Sequence, residues 1–355
     1  MNNIKFVKSE KLKQKPDMKN LGFGKYFTDY MFVMDYKEGI GWYDFRIEPY
    51  DKIIMEPASM IFHYGQSTFE GLKAYYGIDG NVRLFRPEKN MIRLNESNER
   101  LCIPKFDINI AINGIKELIK IEKDWIPKER GTSLYIRPFI IATDVNVGVH
   151  PSSTYKFMAI LSPVNAYYSE GINPVKIYVE DEFVRAFKGG VGYAKTAANY
   201  AASLKSQVLA EQKGYTQVLW LDGLERKYIE EVGTMNVMFV IDNEVITPEL
   251  NGSILSGITR MSVIEILRDI GYKVTERKIS IQEVFNAYNN GKLQEAFGTG
   301  TAAVISPIGL LEWEGKKIII NNEKIGDIAL KLYNTITDIQ YGNIEDKFNW
   351  TINIY

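Results

Sequence analysis

The sequence predicts a two-domain protein of the α/β or α+β class, and three observations carry that expectation. The chain has 355 residues, more than one ordinary core encloses, since domains cluster at about 100–150 residues. Apolar runs of strand character alternate along it with runs of helical spacing. Gly and Pro then break the pattern in NAYYSEGINP, residues 165–174. We therefore expect a smaller N-terminal α/β domain over 1–165, an interdomain loop over 166–174 and a larger C-terminal α/β domain over 175–355.

The elements follow in order. The first forty residues read as an irregular lead-in. From Ile53 to Phe85 short apolar strands alternate with Gly punctuation, and the GIDGN turn between KAYY and VRLF is a hairpin signal. Helical spacing starts at Pro87, a first-turn proline, and a second amphipathic helix covers Ile108 to Trp125. SLYIRPFIIAT, KFMAILSPV and KIYVE read as strands. A helix from about Ala197 to Lys213 ends at Gly214. QVLWLD and VMFVID are apolar strands, the helix from about Arg260 to Ile270 stops at Gly271, and Ser280 with Glu283 forms a capping box. A last helix runs from about Lys324 to Tyr341.

Composition narrows the classes. Apolar residues make up 45% and charged residues 25%, as in ordinary globular proteins. With 43 basic and 44 acidic residues there is no long-range field for nucleic acid or an acidic membrane. The single cysteine, Cys102, excludes an internal disulfide and reads as a buried packing group. Two histidines, His63 and His150, form no zinc-binding spacing, so no metal is expected, and His63 reads as a hydrogen-bonded core group. The lysine-bearing N-terminus lacks an apolar h-region, and no apolar run approaches the ~18 residues of a span, which points to the cytoplasm.

The chemistry is concentrated in a few segments. GGVGYAKTAANYAASL sets Lys195 among small residues, with no carboxylate nearby in sequence and Tyr200 five positions on. Most lysines are solvated surface groups. Burial of this one would favour the neutral amine that attacks a carbonyl, the chemistry of a Schiff-base lysine. In YIEEVGTMNVMFV, Glu231 stands at the mouth of an apolar strand, where packing does not account for a carboxylate and a pyridinium nitrogen would.

A pyridoxal cofactor also carries a phosphate, which needs an arginine and the N–H groups of a helix start. LSGITRMSVIEIL offers Gly257 and the amides of Ile258 and Thr259, although an ordinary loop before a helix looks the same. AFGTGTAAVISPIG matches G-x-G-x-x-A at Gly298, Gly300 and Ala303, but a strand-like run follows, which excludes a dinucleotide fingerprint. The Thr301 and Ala302 amides there could still face a carboxylate or phosphate. Tyr64, Phe69, Tyr135 and Tyr167 sit in loops or strand ends, as core groups or as pocket walls.

Taken in order, HYGQSTFEGLKAYYG, RLFRPEKNMIRL, YIRPF, GGVGYAKTAANY, QVLWLDG, EEVGTMN, LSGITR and AFGTGTAAVISP resemble the branched-chain amino acid aminotransferases among the fold-type IV pyridoxal phosphate enzymes. The resemblance runs from about Phe23 to the C-terminus. It implies the D-amino acid aminotransferase-like fold, with pyridoxal 5'-phosphate between two domains, and a homodimer. Lys195 would be the Schiff-base lysine and proton carrier, Glu231 the partner of the pyridine nitrogen and Tyr200 the donor to the 3-hydroxyl. Arg93, the Gly257–Thr259 backbone and the Thr301 hydroxyl would hold the phosphate. The Thr301 and Ala302 amides would meet the substrate carboxylate, and Tyr64, Phe69, Tyr135, Tyr167 and Thr234 would line the pocket. Arg137 would orient its tyrosines and admit the side-chain carboxylate of glutamate. Some mammalian relatives carry Cys-x-x-Cys where this chain has Ala303 and Ser306, so thiol control of that kind should be absent.

The implied reaction is ping-pong transamination of Leu, Ile and Val with 2-oxoglutarate, to branched-chain 2-keto acids and L-glutamate. An aromatic-lined pocket prefers those side chains but separates them weakly. D-amino acid aminotransferase and aminodeoxychorismate lyase are alternatives on the same fold, and a non-catalytic binding module is a third. The partners are small molecules, with no nucleic acid and no membrane.

Overall fold

The computed structural model describes residues 4–165 and 172–355, so Tyr167 and most of the expected interdomain loop lie outside the described residues. The chain forms two compact units. The first combines 4–165 with Ala194–Ala197 and Asp338–Tyr355, and the second comprises 172–193 and Ala198–Thr337. The sequence expectation assigned 175–355 to one domain throughout. Two pieces of it instead group with the first unit, and the second of these is anchored by main-chain pairing of the C-terminal strand Thr351–Asn353 with residues 83–85.

The first unit contains β1 (Lys5–Phe6), β2 (Tyr30–Lys37), β3 (Gly41–Pro49), α1 (Met60–Tyr64), β4 (Ser67–Phe69), β5 (Leu72–Tyr76), β6 (Val82–Phe85), α2 (Pro87–Arg100), α3 (Ile108–Ile121), β7 (Ser133–Ala142) and β8 (Thr154–Val164). Its sheet runs β1-β3-β2-β8-β7-β5-β6 and ends on Thr351–Asn353, with β4 also paired to β7. The GIDGN hairpin joins β5 to β6 as expected. The expected irregular lead-in instead contains β1 and β2. YMFVMDYK of β2 is buried without alternation over its first five residues, and a strand covered on both faces shows no period of two.

In β7 the period is plain. Leu134, Ile136, Ile140 and Ala142 are fully buried in the main core with residues of α2 and α3. Tyr135, Arg137 and Phe139 therefore project from the other face, where Phe139 packs with Met31, Val33 and Met158.

The second unit contains β9 (Val175–Glu180), α4 (Ala197–Gln212) beyond its first residue, β10 (Gln217–Leu221), β11 (Ile229–Val232), β12 (Met235–Ile241), β13 (Glu244–Thr247), α5 (Ile258–Asp269), β14 (Lys273–Glu276), α6 (Ile281–Asn289), β15 (Leu293–Gly300), β16 (Val304–Trp313), β17 (Lys316–Ile319) and α7 (Asp327–Tyr341) up to Thr337, its last turn grouping with the first unit. Its strand order β11-β10-β9-β16-β15-β12 closes on itself, because β11 also pairs with β12. Six strands thus form a small barrel, filled by Ile177, Val179, Leu219, Val237, Phe239 and Leu311. The strand-like run after Gly300 is β16, so the G-x-G-x-x-A match leads into a sheet.

Two minor expectations are corrected. Cys102 is exposed in a left-handed turn, φ 55°, just past α2, which aims its side chain at solvent. His63 is also exposed, and its Nε2 meets the Pro57 carbonyl at 3.0 Å. No helix among the described residues is long and apolar enough to cross a membrane.

Candidate functional site

In the first unit Phe69, Arg93, Tyr135 and Arg137 gather around Lys195, which is held by its main chain, while nothing among the described residues brings Tyr64 to them. Its N–H donates to Ser97 Oγ on α2 at 2.9 Å, and its carbonyl accepts the Phe69 N–H at 3.0 Å. Next to it the Thr196 hydroxyl donates to the Ser67 carbonyl at 2.8 Å. The lysine segment is thereby clamped along β4. Lys195 Nζ lies 5.1 Å from the centre of the Phe69 ring, and the Arg137 guanidinium is 4.8 Å from the same ring. Arg137 Nη2 donates to the Tyr135 hydroxyl at 2.9 Å. The β4–β7 register, Phe69 opposite Phe139, sets Phe69 on the same sheet face as Tyr135 and Arg137. A Cβ on Gly71 would stand 2.2 Å from the Tyr135 hydroxyl, so the glycine makes room for the phenol.

Sequence reading found no carboxylate near Lys195; the fold supplies Glu70. Its side chain is fully buried and takes Arg93 Nε at 2.7 Å and Nη2 at 2.9 Å, with Asn90 Nδ2 at 2.7 Å. Burial alone would raise the Glu70 carboxyl. The Arg93 ion pair, its hydrogen bonds and the Lys195 charge outweigh burial and hold it below the usual carboxylate range. Arg93, expected at a phosphate, is thus oriented by a two-point fork with Glu70. Glu70 directly follows Phe69, which the sequence reading singled out, but its pairing partner is 23 positions away, beyond any local pattern. The most buried lysine of this unit is Lys73, with its amine lowered to about 8 by burial. Tyr64 is exposed on α1 and its hydroxyl donates to the Val147 carbonyl.

In the second unit the candidates gather at one end of the barrel. The strand register aligns Trp220, Glu231, Asn236, Thr299 and Ile305 in one row, and directly opposed residues project from one face. Just past this row lie the two turns that carry Thr234 and Thr301–Ala302. Glu231 is 4% exposed. Its Oε1 accepts the Leu255 N–H at 2.8 Å, and Asn236 Nδ2 donates to the Leu255 carbonyl at 2.9 Å. The opposite oxygen, Oε2, faces Arg185 Nε at 3.4 Å.

Those bonds to Leu255 carry the chain into α5, whose N-cap is Gly257. Gly257 supplies no side-chain cap, and a Cβ there would stand 1.9 Å from Asn236 Oδ1. The buried Ile258 and Thr259 open the helix, so the first-turn amides have no capping side chain. Thr299 Oγ1, buried in the row, has no hydrogen-bond partner among the described residues. Tyr200 sits half-buried in the first turns of α4. Asn236 and Arg185 escaped the sequence reading. Asn236 ends the conspicuous EEVGTMN run, whereas nothing local marks Arg185.

Comparison with known proteins gives a consistent result. A family model described as amino-transferase class IV matches residues 67–311. The chain is 62% identical over 342 residues to branched-chain-amino-acid aminotransferase 2 of Bacillus subtilis, covering 96% of this chain and 94% of that one. It is 56% identical over 354 residues to branched-chain-amino-acid transaminase 1 of the same organism, covering 99% of both. Among solved structures, the branched-chain amino acid aminotransferase from Escherichia coli superimposes with a TM-score of 0.73 at 26% identity, over 92% of this chain and 99% of that one. The T.th. enzyme of that name, solved with pyridoxamine 5'-phosphate, gives a TM-score of 0.76 at 26% identity, over 91% of this chain and 98% of that one.

Proposed function

We propose that this chain, which belongs to the class IV amino-transferases, is a branched-chain-amino-acid transaminase that uses pyridoxal 5'-phosphate. It exchanges the amino group of Leu, Ile or Val with 2-oxoglutarate. The observation that carries the proposal is the near full-length match to relatives of that name. Bound pyridoxal 5'-phosphate supplies an aldehyde that captures an amino group and a ring that accepts the electron pair left when the Cα proton departs.

The chain's own residues do the rest. Lys195 takes the proton from the substrate Cα and returns it on the other side of the exchange. Its support is the clamp on β4 and the neighbouring Glu70–Arg93 pair. Glu231 holds a proton at the ring nitrogen, which its burial and its anchoring to Leu255 make it rigid enough to do. Tyr200 donates to the ring hydroxyl. The uncapped amides of Ile258 and Thr259, beside Gly257, suit a phosphate, joined by Arg93 and the Thr301 hydroxyl. Thr301 and Ala302 amides bind the substrate carboxylate, and Tyr64, Phe69, Tyr135, Tyr167 and Thr234 form the apolar pocket. Arg137, stacked on Phe69, admits the second carboxylate of 2-oxoglutarate.

Two further parts of the proposal concern the whole molecule. We assign a homodimer, supported by α4, where Ala197, Ala198, Ala201, Ala202, Leu204 and Val208 are exposed in the isolated chain; sedimentation equilibrium checks it. We assign the cytoplasm, checked by cell fractionation. The function is tested with Lys195→Ala, which should abolish both L-leucine transamination and the visible absorbance of the bound cofactor; retention of either removes Lys195 from its role. D-alanine and aminodeoxychorismate are assayed alongside, and faster turnover of either would move the reaction class.

A further inference from the structure

A buried cation stands beside the amides assigned to the phosphate and has no role among the assignments above. Arg260 is 2% exposed and belongs to the first turn of α5, directly after Ile258 and Thr259. Helix N-termini carry partial positive charge, so a cation in the first turn works against the helix, and burying it adds a desolvation cost. No acidic residue of that turn offsets it. A guanidinium kept there is accounted for by what it holds.

Arg260 Nη2 donates to the Pro248 carbonyl at 2.9 Å and to Glu276 Oε2 at 3.0 Å. Pro248 is where the chain leaves β13, and Arg260 lies twelve positions on, so the guanidinium closes the loop between them. Glu276 ends β14 opposite Thr247 of β13, which puts both acceptors at one end of the same strand pair. The other Glu276 oxygen, Oε1, takes Arg268 Nη2 at 3.1 Å. One carboxylate thus receives the first and last turns of α5, which fixes the direction of the helix as well as the place where it starts.

The rest of the loop is tied from elsewhere. Arg185 donates to the Ser253 carbonyl, and Glu231 and Asn236 hold the Leu255 N–H and carbonyl. Those ties act ahead of Gly257, whereas Arg260 acts from the helix itself. A Cβ on Gly257 would meet Arg260 Cβ at 3.2 Å, so the stem of the arginine lies against the N-cap.

We propose that Arg260 is a positioning residue for the cofactor phosphate: by tying the first turn of α5 to Pro248 and Glu276, it aims the Ile258 and Thr259 amides at the anion. It acts through those amides and does not itself meet the cofactor. Hydrogen bonds to a charged acceptor are strong but weaken steeply with misalignment, so a turn released from Pro248 and Glu276 keeps its amides and loses their aim. This role rests on the assignment of those two amides to the phosphate.

The test compares pyridoxamine 5'-phosphate with pyridoxamine, which differ only in the phosphate, each titrated by fluorescence into full-length protein. Wild-type protein should bind the phosphorylated form far more tightly. Arg260→Met keeps the aliphatic volume and removes the donors; it should weaken pyridoxamine 5'-phosphate by about tenfold and leave pyridoxamine unchanged. Glu276→Ala, on an exposed strand end, should narrow the preference in the same direction by less, and carries the test alone if Arg260→Met does not fold. A merely structural role would lower the affinity for both forms by one factor. Equal losses for the two forms, or a preference that neither substitution narrows, overturn the proposal. Equal affinity for the two forms in the wild type would remove the phosphate from α5, and this role with it, and is read before any variant is made.

Discussion

At the scale of single residues, the environment of Lys195 is decided by groups that sequence neighbours do not reveal. Glu70 and Arg93 form a buried pair whose side chains are 0% and 8% exposed, and such a pair is costly to break because the survivor keeps an uncompensated charge. Glu70→Gln should therefore destabilise the protein by about 3–5 kcal/mol, read as a lower urea midpoint, and should loosen the orientation of Arg93, read as weaker retention of the cofactor. A second buried acid makes stability depend on pH. Burial pushes the Glu122 carboxyl up to about 7, the Asp29 charge adds to this, and the Tyr30 N–H, donating to Oε1 at 2.5 Å, opposes it. A carboxyl raised above its unfolded value of about 4.3 contributes stability below that value and loses it as pH rises through about 7. Glu122→Gln keeps the acceptor for Tyr30 and removes the titration. Its urea midpoint should lose the part of the decline between pH 5 and pH 8 that wild type shows; an unchanged slope assigns the decline to other groups.

At the scale of elements, local signals succeeded where one residue suffices to make them. Pro87 opens α2 and Gly214 follows α4 with φ 84°, as the sequence indicates. Ser280 caps α6 by accepting the Glu283 N–H at 3.1 Å, but the return half of the expected capping box is missing. The Glu283 carboxylate instead takes Arg277 at 2.6 and 3.1 Å, a partner whose charge outcompetes a neutral main-chain donor. Ser280→Ala should cost about 1 kcal/mol, measured by urea unfolding, and Glu283→Ala should act through Arg277 rather than through the cap. At α5 the absence of a cap is the useful feature. Gly257→Ala would drive a methyl into Asn236 Oδ1, 1.9 Å away, displacing the loop that Glu231 anchors. Weaker affinity for pyridoxal 5'-phosphate, followed by fluorescence, is the expected result, with the helix itself retained.

At the scale of the whole molecule, the return of the C-terminus matters most. Trp350, 5% exposed, stacks on Phe348 at 4.2 Å and meets Phe85 edge-on at 5.6 Å, and its carbonyl accepts the Arg86 N–H at 2.6 Å. Trp350→Ala should cost about 3–5 kcal/mol, seen as earlier thermal unfolding of the first unit. The sequence by itself determined what repeats within a few residues: the helices from their caps and spacing, the GIDGN hairpin, the strand after Gly300, and the conspicuous residues Lys195, Glu231 and Gly257. Each is written in neighbours that must agree in conformation or in chemistry. Only the tertiary structure decided that six strands close into a barrel, that Glu231, Asn236 and Thr299 share one row of it, that Glu70 meets Arg93, and that the last strand pairs with β6. These depend on register and chain return over tens to hundreds of residues. No local propensity encodes them, because the free energy that selects them comes from burying whole faces at once.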